Sequence, residues 1–330
     1  MLSKKGSLFW LALVVAAVML LAVGCGGGSD TAEKSGDESG GEGEPVIKEW
    51  VFAADHEFSV RPDGLPELEK VYGFEFDRVE VMDLGVTYGA LKDGLVPVAM
   101  GFATDGRIGA FGLVNLEDDK HFFPVYNPAP VVRKEVLDKY PEIKDILGAI
   151  GPKLDTETMI ELNGKVDIDG MEPKEVARQF LLEQGLIDEE KEEQTKGPVV
   201  VGSKEFTEQL ILGAMSVLAL EDAGFKVTDN TGLGGTEMAR NALESGEIDT
   251  YWEYTGTAWL VALGHEKPIT DSEEAFQKVS EEDLAKNNLV WLSYAKFDNT
   301  YTLMMRKDDA EKLGIKTISD LARMINESKK

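Results

Sequence analysis

The sequence predicts an α/β fold with mainly parallel sheets. Two patterns carry that prediction. Short β-branched apolar runs end at Gly or Ser, as in VVVGS over residues 199–203. Segments with apolar residues at helical spacing follow them, as at Leu210, Ile211, Ala214, Met215, Leu218 and Ala219. Strand and helix alternating in this way point to crossover connections between neighbouring parallel strands. Ligands in such folds sit on loops at the carboxyl ends of strands.

The pattern holds along both halves. After the helix at 210–219, Phe225–Thr228 alternates like a strand, Gly232–Gly235 is a turn, Met238–Leu243 is helical and Ile248–Trp252 reads as strand. Earlier in the chain, Trp50–Ala54, Asp77–Met82 and Val96–Ala99 read as strands, with helices at Pro66–Tyr72 and Tyr88–Leu91 between them. The halves share this alternation but no evident repeated motif. Residues 188–197 (DEEKEEQTKG) are charged, lack an apolar face and read as a surface connector.

The first residues carry a targeting pattern. Lys4 and Lys5 precede an apolar run from Leu8 to Val23, and Ala22-Val23-Gly24-Cys25 resembles a lipoprotein cleavage box. The run has the length of a signal core and is short for a spanning helix. Residues 1–25 are therefore expected to be a lipoprotein signal peptide with Cys25 as the lipidated residue; a plain secretory signal or a single anchor are the alternatives. Cys25 is the only cysteine, so once it is lipidated no thiol remains for disulfides, metal ligation or nucleophilic catalysis. Residues 26–45 are Gly, Ser and charged residues with almost nothing apolar, the composition of a solvated tether.

The formal net charge of −27 argues against nucleic acid and against anionic lipid as partners. Catalytic patterns are thin. His56, His121 and His265 form no metal-ligand spacing, GLGGT lacks the Lys-Ser/Thr ending of a nucleotide-phosphate loop, and no nucleophile elbow is present. No enzyme activity and no cofactor are expected. Aromatic residues at loop-like positions stand out instead: Tyr254 in EYTGT, Tyr301 in FDNTY, Phe102 in GFATDGR and Tyr126 in HFFPVY. A quaternary ammonium has no N–H to donate, so a cluster of aromatic faces is the physical means of holding one. Tyr72 and Tyr88, at helical positions, are assigned to the core.

Longer motifs make the comparison specific. GSKEFTEQLILG, GLGGTEMA, GEIDTYWEYTGTA, FDNTYTL and KTISDLA resemble successive motifs of the substrate-binding proteins of glycine betaine/choline/proline betaine ABC importers, in the osmoprotectant-uptake, ProX-like branch. FAADHEFSVRPDGLPELEKVYGF, GFATDGRI, LEDDKHFFPVYNPAP and TETMIELN resemble the same family, and together the motifs cover nearly all of residues 48–325. Their order is inverted. The block that opens the family occupies 198–330 here, the block that closes it occupies 46–190, and residues 191–197 connect them. A circular permutation is the simplest reading; a truncated tandem duplication and two half-proteins pairing between chains are the others.

The resemblance implies a two-lobe periplasmic-binding-protein-like (type II) fold, circularly permuted, with crossovers near Pro124–Tyr126 and Asn299–Tyr301. One lobe would combine 198–299 with 127–187, the other 301–328 with 46–125. It also implies a ligand site. The aromatic cage falls on Tyr254, Tyr301, Phe102 and Tyr126, with Phe102 where the family more often has Tyr. Donors for a ligand carboxylate fall on Lys204, Thr257 and Arg61, with Glu57 four residues before Arg61 to orient it and Gln209 and Asn299 as polar liners. The function implied is extracytoplasmic capture of a quaternary ammonium osmolyte, glycine betaine or a relative and possibly choline. The bound osmolyte would be delivered to the permease of an ABC importer by a protein held to the membrane through a lipid anchor. A sensor or structural lipoprotein on the same fold is the alternative.

Overall fold

Val51–Ala54 (β1) is buried at all four residues, as a strand covered on both faces must be. It lies inside a sheet of spatial order β2–β1–β3–β10–β4, where β2 is Arg78–Val81, β3 Val98–Phe102, β4 Leu113–Asn115 and β10 Tyr301–Arg306. A second sheet has the order β7–β6–β8–β5–β9, with β5 at Pro128–Arg133, β6 Lys196–Gly202, β7 Phe225–Asn230, β8 Thr250–Tyr254 and β9 Leu289–Trp291. This computed structural model describes residues 47–188 and 193–330, which belong to one compact unit extending from Gly43 to Lys330. The proposed signal peptide, Cys25 and the tether lie outside the described residues, as does part of the connector.

Each sheet borrows a strand. β10 comes from the second half of the chain and inserts between β3 and β4, antiparallel to both. β5 comes from the first half and inserts between β8 and β9, again antiparallel to both. The expectation of mainly parallel sheets holds with one addition: four strands of each sheet run one way and the fifth runs against them. The direction of a strand that arrives from the other lobe is set by that crossing, which no local periodicity records. The two sheets share one order despite the absence of a repeated sequence motif.

Helices cover the sheets for legible reasons. Leu65–Tyr72 starts with Pro66 in its first turn and stops at Gly73, whose φ of 75° closes the helix left-handedly. Thr207–Asp222 is buried around almost its whole circumference, because the helices Pro173–Glu183, Thr156–Asp167 and Ile143–Gly148 pack against it. It starts three residues earlier and ends three later than the apolar spacing alone defines. Strand β8 is displaced from the expected 248–252 to 250–254, which puts Tyr254 at its carboxyl end. No helix among the described residues is long and apolar enough to cross a membrane.

The two crossing segments run side by side. The Tyr126 N–H donates to Asp298 Oδ1 at 2.7 Å, the Asn299 N–H donates to the Tyr126 carbonyl at 3.1 Å, and Asn127 Nδ2 donates to the Phe297 carbonyl at 2.8 Å. Gly256, just past β8, presses on one of them. A Cβ there would lie 2.7 Å from Pro124 Cγ, 2.8 Å from the Val125 carbonyl oxygen and 2.9 Å from Tyr126 Cδ1. Gly256→Ala is therefore expected to destabilise the fold by about 1–3 kcal/mol, the usual cost of overpacking. Urea denaturation of the two proteins measures it, and an unchanged midpoint contradicts the close approach.

Candidate functional site

The strand ends and crossovers gather the expected aromatic residues. In the first sheet Tyr301 pairs directly opposite Phe102, and in the second Tyr254 pairs opposite Pro128, two residues past Tyr126. The rings form a continuous series. Tyr126 and Tyr301 meet edge-to-face with centroids 5.5 Å apart, Tyr301 and Phe102 lie 5.0 Å apart, Phe102 stacks on Phe206 at 5.3 Å, and Phe206 stacks towards Tyr254 at 6.2 Å. All are within the range of favourable aromatic pairs. Phe206 is the member that motif reading missed, although it stands inside GSKEFTEQ. Tyr72 and Tyr88 are buried, and the Tyr88 hydroxyl accepts the Phe102 N–H at 2.9 Å.

The polar residues converge beside these rings. Thr236 is their meeting point, since its hydroxyl oxygen lies 3.0 Å from Lys204 Nζ, 3.3 Å from Arg61 Nη1 and 3.0 Å from Glu57 Oε2. Arg61 also donates to the Thr257 hydroxyl at 3.2 Å. Arg61 and Glu57 precede β2 in the first lobe, whereas Lys204, Thr236 and Thr257 belong to the lobe of the second sheet, so these bonds join the two lobes. Both cations face rings of this series: Arg61 Cζ lies 5.4 Å from the Tyr301 centroid and Lys204 Nζ 5.2 Å from that of Tyr254.

Glu57 bonds Arg61 as expected, and a second carboxylate holds it more tightly. Asp63, unnoticed in the motif RPDG, holds it with two parallel bonds of 2.8 and 2.7 Å, while Glu57 is 3.3 Å away. A bidentate fork is the stronger arrangement. Glu57 bonds Arg61 through Oε2 and also reaches the other lobe, its Oε1 accepting the Thr236 N–H at 2.5 Å at the start of the helix Thr236–Ser245. A carboxylate is favoured there by the helix dipole and the free N–H groups. Gly235 makes room for it, because a Cβ at that position would sit 2.0 Å from Glu57 Oε1. Burial raises the pKa of Glu57, but Lys204 and the Thr236 N–H outweigh burial and hold it below the ordinary value. Burial is likewise outweighed at Asp63, by Arg61.

Gln209 is fully buried; its Oε1 accepts the Lys204 N–H at 3.2 Å and its Nε2 has no hydrogen-bond partner. Asn299 and Tyr254 both turn to Glu208, a second residue that motif reading missed. Glu208 Oε1 accepts the Tyr254 hydroxyl at 2.7 Å and Asn299 Nδ2 at 2.9 Å. Its Oε2 meets the Thr104 hydroxyl at 2.6 Å and Asn163 Nδ2 at 3.3 Å. Burial pushes the Glu208 carboxyl up to about 7 against the pull of these four donors.

The family described as the substrate binding domain of ABC-type glycine betaine transport systems matches residues 35–183 and 197–329. The chain belongs to this family. Its fold is accordingly the α/β two-lobe type II fold of periplasmic binding proteins. The glycine-betaine-binding protein of Pseudomonas aeruginosa is 45% identical over 141 residues, 42% of this chain and 45% of that protein. The carnitine transport binding protein OpuCC of Listeria monocytogenes is 37% identical over 153 residues, 46% of this chain and 50% of that one. A solved glycine betaine/carnitine/choline ABC transporter structure aligns over 43% of this chain and 52% of its own, with 35% identity and a TM-score of 0.34. The chain spans about half the length of these curated relatives.

Glu208 supplies a prediction on the unliganded fold. A carboxyl whose pKa is raised by folding keeps its full stability below its ordinary value of 4.5 and loses it as pH rises through about 7. The climb from 4.5 to about 7 corresponds to roughly 3 kcal/mol as an upper bound. Glu208→Gln removes that titration, so the variant gains stability over the parent at about pH 8 and loses the advantage near pH 5. Thermal melts at both values check it, and an equal difference at both rejects the assignment.

Proposed function

We propose that this protein is an extracytoplasmic solute-binding protein that captures a quaternary ammonium osmolyte, glycine betaine or a close relative, and hands it to the permease of an ABC importer. The observation that carries this reading is the convergence of Tyr254, Phe206, Phe102, Tyr301 and Tyr126, from both lobes, into one aromatic series beside Arg61, Lys204 and Thr257. Ring faces suit a cation that cannot hydrogen-bond. Clustered N–H and hydroxyl groups suit a carboxylate leaving water. The unpartnered Gln209 Nε2 is a further donor available to the ligand. Cys25 carries the lipid that holds the protein at the membrane, with residues 26–45 as tether.

The same reading takes the chain as a circular permutation of the family. Trp50 N–H and Lys329 Nζ both reach the Asp77 carboxylate, at 2.8 and 3.2 Å, so residues that the usual order would place in succession are neighbours. At the other junction, the Asp188 N–H donates to Asp222 and the Lys196 N–H to the Gly224 carbonyl, within one turn. Junctions that close are what permutation requires. A monomer in solution that binds one ligand per chain is the expected outcome by mass measurement and titration; a dimer that dissociates into inactive halves refutes it.

Titration calorimetry with glycine betaine, proline betaine, carnitine and choline tests the ligand class. Heat is expected with at least one of them, and silence with all four removes the class. Tyr254→Ala and Tyr301→Ala each weaken binding by about 2 kcal/mol or more while the circular dichroism spectrum is retained. Loss of stability with unchanged affinity assigns those rings to the core instead.

A further inference from the structure

Five carboxylates are buried among the described residues: Asp63, Asp105, Glu208, Glu253 and Asp283. Four have a basic partner within an ion-pair distance. Asp63 holds Arg61 at 2.7 Å, Asp105 holds Arg107 at 2.5 Å, Glu253 holds Lys204 at 2.7 Å and Asp283 holds Arg240 at 2.5 Å. Glu208 is the exception. Its partners are the hydroxyls of Tyr254 and Thr104 and the amides of Asn299 and Asn163, all neutral. A buried carboxylate is costly unless a cation compensates it, and this one lies behind a ring of the proposed cage.

We propose that Glu208 is the countercharge for the cationic head of the ligand, acting largely through Tyr254, and that it sets the preference of the site for a permanent cation over a neutral group of the same shape. This rests on the aromatic-cage reading above. The Tyr254 hydroxyl donates to Glu208 at 2.7 Å. A phenol that donates to an anion gains electron density, and its ring face becomes more attractive to a cation. The first turn of the helix Thr207–Asp222, where Glu208 stands, favours the ionised form, as do the donors Tyr254, Asn299 and Asn163, with Thr104 sharing its one hydroxyl hydrogen between Glu208 and Asn299. The carboxyl's elevation to about 7 is what a buried acid without a cation shows. Tyr126 has a similar bond, its hydroxyl donating to Asp63 at 2.6 Å, but Arg61 already neutralises that carboxylate.

The experiment compares ligands of one shape and two charges: glycine betaine with 3,3-dimethylbutanoate, and choline with 3,3-dimethylbutan-1-ol. In each pair a quaternary carbon replaces the ammonium nitrogen. Affinities are measured for the parent protein and for Glu208→Gln. The parent is expected to prefer the ammonium member, and the variant to lose about tenfold or more of that preference through the ammonium member alone. Equal weakening of both members means a structural role and overturns the proposal, as does an unchanged preference. In a Tyr254→Phe background the effect of Glu208→Gln is expected to shrink; an undiminished effect overturns the route through Tyr254. Failure of the parent to bind either ammonium ligand refutes the cage reading itself, and is seen before any variant is made.

A second readout needs only the parent protein. Calorimetry near neutral pH in buffers of different ionisation enthalpy counts protons exchanged on binding. The charged groups nearest in the bonding network to Glu208 and its partners are Asp105 with Arg107, just past Thr104, Asp167, which accepts the hydroxyl of Thr207, Lys204 with Glu253, and Asp298 on the crossover. Both members of a ligand pair meet the same groups, so the difference between their proton counts isolates the head charge. The ammonium member is expected to release more protons, because its charge favours ionised Glu208. Identical counts overturn the proposal.

Discussion

Everything at the site hangs on the exchange of one strand between the two sheets. β5 and β10 each leave their own half of the chain and run antiparallel into the other's sheet. Two exchanges require two crossings. The crossings lie together and bond to one another through Tyr126, Asp298 and Asn299. The aromatic series follows from that geometry. Tyr126 and Tyr301 are on or beside the crossings, and Phe102 and Tyr254 end the strands that pair with β10 and β5. A side chain at such a position is held by a fixed backbone and does not depend on a mobile loop.

Charge pairing is the second organising term. Arg61, Lys204, Glu57, Asp63 and Glu253 crowd into one region, and their cost underground is limited because each finds an opposite charge or an N–H. Several of these bonds cross the cleft, so they hold the lobes together as well as the donors in place. Arg61 to Thr257 and Glu57 to Thr236 are of this kind, and Thr104 to Glu208 closes the far side.

What the sequence disclosed was mostly local or carried by motif. The α/β alternation showed because strand and helix periods are written in neighbouring residues, as at VVVGS and the helix after it. Strand direction was hidden, since the reversal of β5 and β10 depends on partners in the other half of the chain. Tyr254, Tyr301, Phe102 and Tyr126 were legible as aromatics flanked by turn residues, and the structure gathers them. Asp63, Phe206 and Glu208 were passed over although they stand in quoted motifs. An Asp after Arg-Pro and a Glu in the first turn of a helix have common surface explanations, and only burial separates them from those. The connecting role of Thr236 had no signal, because a hydroxyl at a helix start is ordinary.

The cross-cleft bonds bear on how a ligand would drive closure. A ligand shifts a two-state equilibrium only by its differential affinity for the two states, and moving it from one extreme to the other takes about 5.5 kcal/mol. Bonds such as Arg61 to Thr257 form without a ligand, so they do not themselves supply that difference. The aromatic faces from both lobes supply part of it, because only closure surrounds a ligand with them. Glu208 supplies a part of another kind. Closing the cleft onto Thr104 strips water from a carboxylate that has no cation of its own, so closure of the empty protein carries an electrostatic cost. A cationic head entering beside Tyr254 removes that cost. The uncompensated charge thus works against closure of the empty protein while bonds such as Arg61 to Thr257 favour it, and a cationic head would remove the opposing part.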